Sequence, residues 1–323
     1  MATVDAKAAL DAPPATALDR RLERLPEGHP SSPGYADSPD GGADTRRSLT
    51  DAEYAEHVAD AKIRLDGARA QGLATDHQYT TDQRRKIWLP DRAARHDEII
   101  QDLYAKAEAV PCEGRAILAG GLPGSGKTTV LSEVAGIDRS SYMAINPDEI
   151  KELMARRDMI PEVDGLTPME AAELVHEESS HIAKQLGLRA YADGKNVIWD
   201  ITMSSTVSTR QRLSELRSAG YSHVDGVFVD IPVEVSVSRA ESRHREGHEE
   251  YRQGHGLGGR YVSPELIRAQ SDPDLGSKNR ATFELVKPGL DHWSLYDNSV
   301  DGRNAVLVDS ATQNLKGEKD LYE

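Results

Sequence analysis

One cysteine, Cys112, stands in 323 residues. A disulfide framework and a cysteine-rich zinc site are therefore both excluded. No run approaches the roughly 20 apolar residues that a membrane-spanning helix requires. The first residues, Met1-Ala-Thr-Val-Asp-Ala-Lys, lack the basic-then-apolar order of an export leader. Basic charge is also scarce, with 39 Lys and Arg against 54 Asp and Glu and a net charge of −15. That balance argues against a general nucleic-acid or anionic-membrane surface, while leaving room for a local basic pocket. The expectation is a cytoplasmic protein with no nucleic-acid and no membrane partner. Its length allows one large α/β domain with an appendage, or two modest domains.

Against these absences stands one strong motif. Gly121, Leu122, Pro123, Gly124, Ser125, Gly126, Lys127 and Thr128 fit G-x-x-x-x-G-K-[ST] at every fixed position. The run before it, Ala116 to Ala119, is short and apolar, as a buried parallel strand should be. Thr129 to Val134 reads as the first turns of a helix. Strand, glycine loop and helix are the context the motif needs, because loop amides and a helix N-terminus converge there on anionic oxygens. The motif predicts nucleoside triphosphate binding, with Lys127 reaching the β- and γ-phosphates and the Thr128 hydroxyl on Mg²⁺. Gly121 to Thr129 are the residues expected to hold ATP.

Residues 1–48 are rich in Ala, Pro, Asp, Gly and Ser, with Pro30-Ser-Ser-Pro-Gly and Ser38-Pro-Asp-Gly-Gly as turn signals. So little apolar area predicts a disordered segment, with a short helix near Leu18 to Leu25 as its only candidate structure. A helical extension over 49–94 follows, with Ser48 or Thr50 as N-cap of a polar helix from Asp51 to Ala70. The main domain spans 95–312, and 313–323 form a polar tail. Within the domain, strands are expected at 142–145, 196–199, 224–231 and 305–308. Helices are expected at 96–109, from 171 towards 194, and at 206–219. Alternating strands and helices predict an α/β fold with a mostly parallel sheet between two helical layers.

Ligands of such sheets bind at the carboxyl ends of the strands. Asp148, Asp200 and Asp230 stand at three of those ends. A carboxylate there holds Mg²⁺ or accepts a proton from a substrate hydroxyl; for Asp230, before Ile231-Pro232, a plain loop acid is the competing reading. A cationic cluster, Arg239, Arg243, His244 and Arg245, precedes the glycine-rich Gly254 to Arg260. Arginines on a mobile loop suit closure over a triphosphate, although pairing with Glu241, Glu246, Glu249 and Glu250 is the bland alternative. His176 has no second histidine at metal spacing. Trp88 and Trp293 read as packing residues, and Asp297-Asn298-Ser299 as a turn or an adenine contact.

Several segments in order resemble the zeta toxin family, P-loop kinases best known as UDP-N-acetylglucosamine kinases. They are Gly120 to Thr128, Ile145-Asn-Pro-Asp148-Glu-Ile-Lys151, His176-Glu-Glu178, Asn196 to Thr202, Arg243-His, and Gly259-Arg260-Tyr-Val-Ser-Pro264. The resemblance implies a P-loop NTPase-type three-layer sandwich and an ATP- and Mg²⁺-dependent kinase acting on the sugar 3′-hydroxyl. It makes Lys127 the triphosphate lysine, Thr128 and Asp200 the metal side, and Asp148 the general base. Lys151, Glu177, Glu178 and Thr202 would meet the nucleotide sugar, and Arg243 and Arg260 the transferring phosphate. An antitoxin protein is the implied macromolecular partner.

Two positions depart from the family pattern. Asn146-Pro147 replaces a frequently acidic site, and Ser204 stands where a basic residue is common. Related toxin-like folds phosphorylate other acceptors, so the acceptor alternatives include another nucleotide such as NAD, and the alternative to a kinase is an NTP-dependent switch or binding module.

Overall fold

The computed structural model describes residues 47–312. The predicted disordered segment and its short helix, apart from residues 47 and 48, and the polar tail lie outside them. Six strands form the central sheet: β1 (Arg115–Gly120), β2 (Met143–Ile145), β3 (Val197–Asp200), β4 (His223–Asp230), β5 (His292–Asp297) and β6 (Val306–Thr312). Their order is β6-β5-β4-β1-β3-β2, parallel throughout except that β6 runs antiparallel to β5. From β1 the chain reaches β2 and β3 on one side, then crosses to β4 and β5 on the other. The reversal lies at β1, so the crevice beyond its carboxyl end is where such a sheet binds ligands.

Side chains alternate across β1. Leu118 joins the larger core with Met143, Ile145, Trp199, Phe228 and Leu295, and Ile117 and Ala119 join the smaller one with Ile198, Val227 and Val229. The larger core is closed by α2 (Pro90–Lys106), α4 (His176–Ala192) and α8 (Lys278–Val286). The smaller is closed by the phosphate-loop helical turns and the segment that follows them, through Val130, Leu131 and Ile137. The sheet is thus a middle layer, as a mostly parallel sheet must be to bury both faces.

Besides the short turn Thr75–Gln78, the remaining helices are α1 (Asp51–Ala70), α3 (Pro147–Arg156), α5 (Thr206–Ser218), α6 (Val233–Arg252) and α7 (Pro264–Arg268). Thr50, not Ser48, caps α1 in a reciprocal box with Glu53. Leu65 and Ala68 of α1 pack with Ala171, Leu174 and Tyr261. The expected helix from residue 171 is a 3₁₀ segment, Ala171–Val175, leading into α4.

Two strand readings needed correction. The strand expected at 305–308 runs over Val306–Thr312, and β5 ahead of it had no counterpart in the sequence reading. His292, Trp293 and Ser294 break the apolar run that marks a parallel strand, yet Trp293 and Leu295 are buried in the core.

Candidate active site

The phosphate loop leaves β1 at Gly120 and enters one α-helical turn, Lys127–Thr129, then a π-helical turn, Val130–Val134. Gly126 has φ of +80°, and a Cβ there would sit 2.6 Å from Asn298 Nδ2. That amide donates to the Ser125 carbonyl at 2.8 Å. Arg239 donates to the carbonyls of Gly124, at 3.3 Å, and Asn298, at 2.9 Å, while the Ser236 hydroxyl donates to Pro123 O at 2.6 Å. Three successive loop carbonyls are thus held from behind, which keeps the loop curled in the shape that suits anionic oxygens. The Ser125 hydroxyl is buried without a protein partner, an orphan that a bound oxygen would satisfy.

Lys127 Nζ lies 3.5 Å from Asp200 Oδ1 and donates to Gly121 O at 3.4 Å. Asp200, at the end of β3, accepts from Asn146 Nδ2 at 3.4 Å. Asn146 also caps α3, its Oδ1 accepting from the Asp148 amide at 2.9 Å. Asp148 is paired with Arg260 and lies 3.6 Å from Lys151 Nζ. Burial acts to raise the Asp148 pKa, but Arg260, Lys151 and Lys127 outweigh it and hold the carboxyl below its ordinary value. Burial also pushes the Lys151 ammonium down, against the pull of Asp148. Asp148 is therefore ionised at neutral pH, and three cations surround it.

Two clefts meet at this point. A cleft of 650 Å³ runs from the phosphate loop past Arg243 to Gly256–Arg260. A second, of 320 Å³, is lined by Lys151, His176, Ser204, Ser205, Ser208 and Arg212 among others. Lys127, Asp148, Asp200 and Thr202 line both. The common wall carries an ionised acid and a cation that face both spaces, an arrangement suited to moving a group from one to the other.

The structure brings most of the expected residues to these clefts, including Arg243, Arg260 and Lys151. Glu178 does not reach them, and its expected contact with a nucleotide sugar is corrected. Its carboxylate is fully buried between Arg92, at 2.6 and 2.9 Å, and His96 Nε2, at 2.5 Å, from α2. Its neighbour Glu177 points outward and pairs with Lys86 at 3.0 Å. Of the cationic run only Arg243 faces the cleft. Arg239 braces the phosphate loop, Arg245 pairs with Asp51 at 2.7 Å, and His244 is buried. Asp230, the last residue of β4, pairs with Arg280 at 3.1 Å, and Asn298 serves the phosphate loop from just beyond β5.

Sequence reasoning passed over Arg212. Its guanidinium stacks on the Trp199 ring, 3.6 Å from the centroid, at the wall of the smaller cleft. A cation at the seventh residue of a polar helix carries no signal of its own; what seats it is a tryptophan on the preceding strand, across the turn at Met203. Met203 was also missed. It is buried with φ of +57°, its side chain under Gly120, so the turn after Thr202 is held in a conformation that favours glycine.

Residues 102–272, more than half of the chain, match the family model described as Zeta toxin. No curated protein matches the sequence. Among solved structures, AvrRxo1-ORF1:AvrRxo1-ORF2 with sulphate ions is similar at 18% identity and a TM-score of 0.52, over 69% of this chain and 68% of that one. The AvrRxo1-ORF1:-ORF2 structure with ATP is similar at 17% identity and a TM-score of 0.52, over 71% of each chain. At such identities the likeness is one of fold.

Proposed function

This chain belongs to the zeta toxin family, and from that premise we propose an ATP-dependent kinase that phosphorylates a hydroxyl of a nucleotide-linked small molecule. The observation that carries the reading is the shared wall of Lys127, Asp148, Asp200 and Thr202 between two clefts. The larger cleft would take ATP. The glycine-built loop, the orphaned Ser125 hydroxyl and Lys127 fit its phosphates. The adjoining Thr128 and Asp200 are the oxygen donors that would hold Mg²⁺, a hard cation that neutralises charge on the β- and γ-phosphates.

The smaller cleft would take the acceptor. Lys151 and Arg212 supply two cations there, and Ser204, Ser205 and Ser208 supply hydroxyls, a lining suited to a phosphorylated ligand. The acceptor hydroxyl oxygen attacks the γ-phosphorus, the bond to the β,γ-bridging oxygen breaks, and the proton passes to Asp148. Lys127, Arg243 and Arg260 stabilise the charge on the transferring group. Arg260 now pairs with Asp148, so triphosphate binding would draw the arginine away and free the base.

UDP-N-acetylglucosamine is the acceptor to which the family points. Another nucleotide such as NAD is the alternative acceptor, because the burial of Glu178, and Ser204 in a usually basic position, remove contacts expected for the nucleotide sugar. An antitoxin is the proposed protein partner. Labelled ATP and a panel of nucleotide sugars and dinucleotides test the assignment. Transfer to one acceptor, lowered 10²–10⁴-fold by Asp148→Asn with ATP binding intact, is the expected outcome. Hydrolysis without any acceptor, indifferent to Asp148→Asn, would leave a nucleotide-controlled switch instead.

A further inference from the structure

Away from both clefts, one oxygen gathers three imidazoles. Glu170 Oε1 lies 2.6 Å from His57 Nε2, 3.0 Å from His248 Nδ1 and 3.0 Å from His244 Nε2. His57 comes from α1, His244 and His248 from α6. The carboxylate is buried, and only His57 is appreciably open to solvent. The His57 and His248 rings are 3.8 Å apart between centroids, whereas His244 is 6.2 and 6.3 Å from them. The His57 and His248 nitrogens and the Glu170 oxygen all lie within 4.8 Å of one another.

Two rings this close, each donating an N–H to one oxygen, crowd positive hydrogens together, and protonating both would add repulsion. With each proton on the opposite ring nitrogen instead, the His57 Nε2 and His248 Nδ1 lone pairs face the carboxylate oxygen. We propose that His57, Glu170 and His248 form a binding site for a zinc-class divalent transition metal, which clamps α1 to α6. Two imidazoles and a carboxylate are a donor set that zinc favours, and the nitrogen-rich set does not suit Mg²⁺. Zinc bonds of about 2.0–2.2 Å place neighbouring tetrahedral donors about 3.3 Å apart, so the nitrogen–oxygen separations of 2.6 and 3.0 Å would open by about 0.7 and 0.3 Å.

The surroundings orient these donors. Glu170 Oε2 accepts the Thr167 amide at 2.8 Å. His244, bonded to Glu170 on one side, meets the Tyr54 hydroxyl at 2.7 Å on the other. Such outer contacts hold metal ligands in place. The site also adjoins the loop that carries Arg260, since the Met169 amide donates to Leu257 O at 3.1 Å. An ion here would fix both α1 and that loop.

The test uses the full chain, stripped with EDTA and freed of chelator, then supplied with Zn²⁺ or Co²⁺ and no nucleotide. One ion per chain, visible Co²⁺ absorption, and a rise in Tm of about 5–10 °C at a hundredfold excess over Kd are expected. His57→Gln and His248→Gln should each abolish the absorption and the Tm rise, while His244→Gln retains the absorption. Substoichiometric metal in the wild-type chain, or Co²⁺ absorption that survives both variants, would overturn the site and leave a hydrogen-bonded histidine cluster. These readouts need neither ATP nor an acceptor, so they stand apart from the kinase assignment.

Discussion

Asp148 is the residue on which the chemistry turns, and its surroundings fix its working range. Although burial opposes it, the cations around the carboxyl depress its pKa, so it stays ionised to lower pH than an ordinary aspartate. A base works in its deprotonated form, so the acid limb of kcat/KM should lie below the usual carboxylate range. Arg260→Ala removes the largest depressing influence, and the limb of the residual activity should move upward in pH. A limb that stays put would show that Asp148 is not the titrating base. The acid itself was legible in Asn-Pro-Asp-Glu at a strand end. Its pairing with Arg260 was not, because 112 residues and a glycine-rich loop separate the two.

Among the elements, the seat of that loop on α6 decides where Arg260 stands. Gly247 and Gly259 approach so closely that a Cβ on Gly247 would lie 2.7 Å from Gly259 Cα. Backbone cannot yield as a flexible side chain does, so Gly247→Ala should cost about 1–3 kcal/mol of stability or displace the loop. Thermal unfolding reads the first outcome and a raised KM for ATP the second; a variant unchanged in both would show that the loop is not seated as described. The glycines announced a loop but not its seat. His244 and His248 fall four apart on α6, a pairing that sequence reasoning did not read. Its meaning depended on His57 and Glu170, which only the packing of α1 supplies.

At the scale of the molecule, a buried ion pair ties α2 to α4 behind the sheet. The pKa of Glu178 is lowered despite burial, through hydrogen bonds from His96 and Arg92. For a depressed acid, the stability gained is present above the ordinary value near 4.5 and is lost as pH falls through the folded one. Acid unfolding should therefore begin below that value. Glu178→Gln should lose about 3–5 kcal/mol at neutral pH, because it leaves Arg92 buried and unpaired, and should flatten the acid dependence. A Glu178→Gln chain with wild-type stability in urea at pH 7 would contradict this account.

The sequence by itself determined the phosphate loop, the acids at the ends of β2 and β3 and the alternation that builds a parallel sheet. Each of these is a local pattern written in neighbouring residues. Tertiary structure alone decided that Glu178 is an anchor, that one cation of four faces the cleft, and that Arg212 lines the second cleft. Those roles are set by which distant side chain occupies the adjacent space, and spacing along the chain does not encode that.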